Sequence, residues 1–148
     1  MADRTRGYAH RIDILAPSEQ VWLSLIDPRR LAEWYVPGVR LSPKKGGSVR
    51  IRLDASIERE AMIDVFEPGS RLRLIYLPMP AMPATEAVLI DDFIISREGD
   101  AAVLRLLGSG FPEHPDWDQL YARLRNGWGI ALSRLKLTLE AQVKPVAR

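Results

Sequence analysis

Residues 117–139, WDQLYARLRNGWGIALSRLKLTL, decide how this chain folds. Trp117, Leu120, Tyr121, Leu124, Trp128, Ala131, Leu132, Leu135 and Leu139 recur at the three- and four-residue spacing of one helical face and hold it for about six turns. Gly127 and Gly129 bracket Trp128 in the middle of that run, and each costs a helix interior roughly 1 kcal/mol relative to alanine. So wide an apolar stripe needs a large dry surface to lie on. The two glycines are expected to let the helix approach that surface closely.

The preceding residues supply a sheet. Residues 8 to 15 alternate in the manner of a strand. Pro17-Ser18-Glu19-Gln20 then opens a short helix carrying Val21, Trp22, Leu25 and Ile26, with Trp22 assigned to packing. Asp27-Pro28 starts a second short helix through Leu31 to Trp34, and Pro37-Gly38 stops it. After a turn at Pro43 to Gly47, strand-like runs cover about 48 to 53, 57 to 66, 71 to 77, 86 to 96 and 101 to 108. Strand, two helices, an antiparallel meander and one long helix make an α+β layer architecture. The chain reads as one domain over residues 1–148, with a core from about 8 to 141 and flexible tails.

The hairpins can be registered by their turns. Folding at Pro68-Gly69 places Asp64 opposite Arg73, Ile63 opposite Leu74 and Ala61 opposite Tyr76. Folding at Glu98-Gly99 places Asp92 opposite Arg105 and Phe93 opposite Leu104. A loop at Asp54-Ala55-Ser56 sets Arg52 against Glu58 and Arg50 against Glu60. Opposite charges coincide in all three registers, so one sheet face is wet and ion-paired. The other carries Val49, Ile51 and Leu53, then Ala61, Ile63 and Val65, then Leu72, Leu74 and Tyr76, then Leu89, Phe93 and Ile95, and finally Leu104 and Leu106. That dry face is the surface the helix should cover.

Two charges fall on the dry side, Arg59 and Asp91. An unpaired charge there is too costly to be incidental, so water reaches them, or they pair with each other or a backbone group, or they meet a ligand.

Composition excludes several classes. Apolar residues make up 47% and charged residues 27% of the 148, which rules out disorder. The net charge of +2 has no basic cluster interleaved with aromatics, so no nucleic acid is expected as a partner. No run of about 18 apolar residues exists, so no membrane span is expected, and no secretory leader is read at Met1 to Tyr8. Cysteine is absent, which suits a reducing cytoplasm. There is no zinc-protease motif, acidic cluster, phosphate loop or dinucleotide fingerprint, so no metal and no cofactor are expected. Gly108-Ser109-Gly110 has no base at a defined spacing, and Ser109 is not read as a nucleophile.

The order of several short motifs resembles a known family. Ala16-Pro17-Ser18-Glu19-Gln20-Val21-Trp22 is followed by Asp27-Pro28 and Leu31-Ala32-Glu33-Trp34. Gly46-Gly47, Val65-Phe66-Glu67-Pro68-Gly69-Ser70-Arg71-Leu72, Ser109-Gly110-Phe111 and Gly127-Trp128-Gly129 come next, and Leu132, Leu135-Lys136 and Leu139-Glu140 close the series. Together they resemble the START-like, or SRPBCC, superfamily typified by the birch-pollen allergen. Within it they are most similar to homologues of the activator of the 90-kDa heat-shock protein ATPase. The resemblance implies a helix-grip fold, a curved antiparallel sheet of six to seven strands wrapped around the C-terminal helix, with two short helices after the first strand.

It also implies an internal cavity for a hydrophobic or amphipathic small molecule, lipid-like or aromatic and polyketide-like. Trp34 and Tyr35 would roof it, with Arg59, Tyr76, Asp91, Phe93 and Leu106 on the sheet. Phe111, Trp117, Leu120, Tyr121, Leu124 and Trp128 would line it along the loop and helix, Trp128 more as packing than as contact. Two other functions remain open, a chaperone- or stress-associated protein with a chaperone as partner, and a small polyketide cyclase or dehydratase. For the last, His114 with Asp91 is the best acid–base pair available. Met62, Ile75 and Leu77 fall on the outer face, a modest patch for a homodimer.

Overall fold

A computed structural model describes residues 4 to 80 and 82 to 142. The terminal tails read from the sequence lie largely outside these residues. The elements are β1 (Thr5–Ile14), α1 (Ser18–Ile26), α2 (Pro28–Trp34), β2 (Arg40–Leu41), β3 (Ser48–Arg52), β4 (Glu58–Glu67), β5 (Arg71–Tyr76), β6 (Ile90–Glu98), β7 (Ala101–Pro112) and α3 (Pro115–Gln142). The strands form one seven-stranded antiparallel sheet in the order β1-β7-β6-β5-β4-β3-β2. This is the expected helix-grip α+β architecture. The two-residue β2 is the strand that alternation was too short to reveal.

Helices α2 and α3 each start on a side-chain cap. The Asp27 carboxylate accepts from the Arg29 N–H at 2.9 Å, and Pro28 takes the first helical position, where its missing donor costs nothing. At α3 the Nδ1 of His114 accepts from the Asp116 N–H at 3.1 Å, and Asp116 and Asp118 put negative charge at the positive end of the helix dipole. The α3 stripe is buried at Trp117, Leu124, Trp128, Ala131, Leu132, Leu135 and Leu139. Leu120 and Tyr121 are partly buried at its margin.

The glycines of α3 do not act as the sequence suggested. A Cβ at Gly127 would meet nothing within 4 Å, and one at Gly129 would make an ordinary 3.5 Å contact with the His10 ring. Close approach of helix and sheet therefore does not depend on them.

Two of the three hairpin registers need correction. Arg52 opposes Glu58 and Arg50 opposes Glu60, as read. Ile63 opposes Leu74 and Ala61 opposes Tyr76, also as read, but Val65 rather than Asp64 stands opposite Arg73 because the ladder bulges between Ile63 and Val65. The extra residue switches the faces beyond it. Phe66 instead of Val65 turns inward, where it meets the Trp22 ring edge-on at 5.1 Å, while Asp64 still binds Arg73 on the outside.

At the last hairpin Glu98 pairs with Ala101, so the turn is Gly99-Asp100. Gly99 has φ +60° and Asp100 does not have positive φ, the pattern of a type II′ turn. Phe93 therefore opposes Leu106 and Asp92 opposes Leu107, two positions from the expected register. A two-residue slip preserves the faces, so the dry surface is as read. Asp92 finds its ion pair on the opposite neighbour, Arg71, at 2.8 Å.

The β6 strand also begins at Ile90 rather than 86. Pro78, Pro80 and Pro83 cannot donate to a ladder, and the Thr85 hydroxyl accepts from the Ala87 N–H in a local turn, so the described residues of 77–89 belong to a connection and not to a strand. Gly110, at φ +92°, lets that connection cross closely, since a Cβ there would overlap the Val88 carbonyl.

Candidate functional site

Arg59 and Asp91 are both buried, at 1% and 0% exposure, on the inner face where the sequence placed them. They sit in a band drawn from five adjacent strands: Arg59 on β4, Tyr76 on β5, Asp91 on β6, Gly108 on β7 and Tyr8 on β1. Gly108 stands directly between Asp91 and Tyr8 in the ladder. A Cβ at Gly108 would overlap the Tyr8 ring, so glycine is what lets that ring lie across β7 toward Asp91.

The Tyr8 hydroxyl donates to Oδ1 of Asp91 at 2.5 Å and the Tyr76 hydroxyl donates to Oδ2 at 2.7 Å. Burial first, and the neighbouring Asp91 charge second, push the Tyr8 phenol far above its ordinary range. Burial also pushes Tyr76 and Tyr35 up, against the opposing pull of Arg59. All three phenols therefore stay protonated, and two of them serve the carboxylate.

That leaves Arg59 without acceptors. Nη1 of Arg59 lies 3.7 Å from Oδ2 of Asp91, close enough for charge attraction but beyond a hydrogen bond. Its guanidinium carbon sits 3.5 Å from the centroid of the Tyr76 ring. A desolvated cation over an aromatic face gains about 2 kcal/mol. Even so, Nε, Nη1 and Nη2 are all buried with no hydrogen-bond partner among the described residues, and each stranded donor costs about 1–3 kcal/mol.

The space between sheet and helix, where the resemblance implies a cavity, is small. Under Trp34, Tyr35, Phe93 and Trp128 the interior keeps an apolar cavity of about 30 Å³, room for about one or two waters. Tyr35 stacks on Trp128, ring centroids 4.5 Å apart, and the pair walls this cavity off from a surface groove of about 200 Å³ that also touches Leu124 and Gly127. A larger space, a cleft of about 580 Å³, lies at the other end, between the 77–89 connection, Tyr76 and Trp117. Its walls include Leu77, Met79, Met82 and Leu89, and Tyr76, which also lines it, carries Arg59 against its ring.

The remaining candidates fall outside these spaces. Leu106 is fully buried core, and Phe111 is buried between Trp117 and Tyr121. Leu120 packs at the core margin, and the Tyr121 hydroxyl donates to the Gly7 carbonyl at 2.5 Å, tying α3 to β1. His114 is not brought to Asp91. Its ring is taken up at the start of α3, with Asp116 Oδ2 3.6 Å away, while Asp91 is held by the tyrosines. Tyr8 and Gly108 are the site residues that sequence reading passed over. Their signal was a tyrosine on the inward parity of β1 and a glycine on that of β7.

Among the described residues no helix is long and apolar enough to cross a membrane. The chain is similar in structure to protein MLL2253 from Mesorhizobium loti, with a TM-score of 0.81 and 22% identity over 95% of this chain and 100% of that one. The Aha1 dimer from Colwellia psychrerythraea gives a TM-score of 0.78 and 18% identity over 94% and 99%. CalU16 from Micromonospora echinospora gives 0.72 and 22% over 95% and 84%. At such identities these likenesses show the fold alone. A search of the curated proteins finds no match. The family described as Activator of Hsp90 ATPase homolog 1-like protein matches residues 15–140, nearly the whole of the folded region, and the chain belongs to that family.

Proposed function

We propose that this protein binds a hydrophobic or amphipathic small molecule in the cleft between the 77–89 connection and Trp117. The observation that carries the reading is the pairing of an apolar space of about 580 Å³ with a buried polar cluster behind its Tyr76 wall. Small-molecule sites are typically of about 300–1,000 Å³, mostly apolar, with a few placed polar groups. Met79 and Met82 add adaptable surface, since unbranched thioethers repack around different shapes.

Tryptophan fluorescence tests this. Titration with a naphthalene derivative should give a saturable change that disappears in Trp117→Phe and persists in Trp22→Phe. An unchanged response in Trp117→Phe would place binding elsewhere, and no response at all would reject it.

A chaperone ATPase as partner is the second reading, supported by the family description over residues 15–140. A mixed ATP-hydrolysis assay with the 90-kDa heat-shock protein should show stimulation if it holds, and none if it does not. A homodimer is supported by exposed Met62 and Leu77 on the outer face and by the dimeric Colwellia relative. Sedimentation at graded concentration tests it.

A further inference from the structure

We infer that the polar cluster selects an uncharged oxygen acceptor, a ketone, quinone or lactone carbonyl, over a carboxylate. This rests on the cleft being a small-molecule site and specifies the head group of its ligand. Three features of the cluster lead there.

The guanidinium of Arg59 is committed by charge but not by hydrogen bonds. Asp91 lies 3.7 Å from it, yet each Asp91 oxygen already accepts from a tyrosine, so the carboxylate neutralises Arg59 without occupying its donors. Five N–H groups in a fixed planar fork are left for an oxygen from outside.

The cluster is also balanced in charge before any ligand arrives. Arg59 and Asp91 cancel, and Tyr8, Tyr35 and Tyr76 are neutral phenols. The next titratable ring is His10, 5.6 Å from the Tyr8 ring. A carboxylate would bring an uncompensated negative charge into a dry interior beside Asp91. A carbonyl oxygen accepts the same N–H groups and adds no charge.

Finally, Tyr76 connects the cleft to the cluster. It lines the cleft, carries Arg59 on its ring face and donates to Asp91. A flat molecule whose body lies among Trp117, Met79 and Met82 would bring an oxygen to Arg59 past the edge of this ring, with the Tyr76 hydroxyl still bonded to Asp91.

Three probes of equal shape separate the terms: 2-acetonaphthone, 2-naphthoate and 2-ethylnaphthalene, titrated by calorimetry into the full chain and into the double variant Arg59→Met/Asp91→Asn. The wild type should bind the ketone at least tenfold more tightly than the hydrocarbon, with naphthoate weakest. The double variant should keep hydrocarbon affinity and lose the ketone's advantage. If the double variant is unstable, the wild-type ranking decides alone. Naphthoate binding tightest would overturn the inference in favour of an anion site. Equal ketone and hydrocarbon affinity would overturn it while leaving the cleft a binding site. Binding of none of the three would overturn the cleft reading and this inference with it.

Discussion

The Tyr8 hydroxyl donates to Asp91 at 2.5 Å across the full width of β7, from one neighbour of that strand to the other. The bond exists because β7 carries Gly108 at the crossing point, where any Cβ would occupy the place of the Tyr8 ring. A missing side chain on one strand thereby fixes a polar contact between two others, and that contact withholds Asp91 from Arg59.

Gly108→Ala should therefore displace Tyr8 and strand one oxygen of Asp91. Overpacking and a lost buried hydrogen bond together imply a destabilisation of about 2–4 kcal/mol. Urea unfolding checks this, with Ser109→Ala as the neighbour expected to change stability by less than about 0.5 kcal/mol.

Arg59 and Asp91 should prove strongly coupled. Arg59→Met alone leaves a buried carboxylate short of its countercharge and should cost about 3–5 kcal/mol. Arg59→Met/Asp91→Asn removes both charges and should cost clearly less than the sum of the single variants. A double-mutant cycle by chemical denaturation measures the difference.

At Gly127 the expected sign is reversed. A methyl there meets nothing within 4 Å, and alanine is about 1 kcal/mol better than glycine in a helix interior. Gly127→Ala should raise the unfolding temperature by several degrees in calorimetry.

Glu140 makes stability depend on pH at the acid end. The Leu15 N–H, at 2.8 Å, and Lys136, also at 2.8 Å, hold its carboxyl below the ordinary value of 4.5. A carboxyl lowered in the folded state stabilises fully above its unfolded value, and that contribution is lost as pH falls through the folded one. The unfolding temperature of the wild type should drop below pH 4.5 more steeply than that of Glu140→Gln.

Sequence patterning carried far because strands have a period of two. The β6–β7 register was displaced by two positions, and this left Asp91, Phe93, Leu104 and Leu106 on the correct face. The bulge at Asp64 was the harmful error, since an odd insertion exchanges faces, and nothing local distinguishes Val65 from Phe66 as the inward residue. The inward charges were legible, but their partnership was not. Whether Asp91 serves Arg59, His114 or a tyrosine depends on which side chain crosses Gly108, a relation among three strands far apart in sequence. The 77–89 connection carried a readable warning in its three prolines. Its role as the wall of the 580 Å³ cleft depends on where α3 places Trp117, and hydrophobic spacing cannot supply that.

A small molecule entering the cleft should reach Arg59. The side-chain Nε–H resonance of Arg59 reports this when followed by ¹H–¹⁵N NMR while 2-acetonaphthone is added to the wild-type protein. That resonance should shift saturably together with the Trp117 indole N–H. An Arg59 resonance that stays fixed while the ketone saturates its site, or a ketone that does not bind, would show that the cleft does not lead to Arg59.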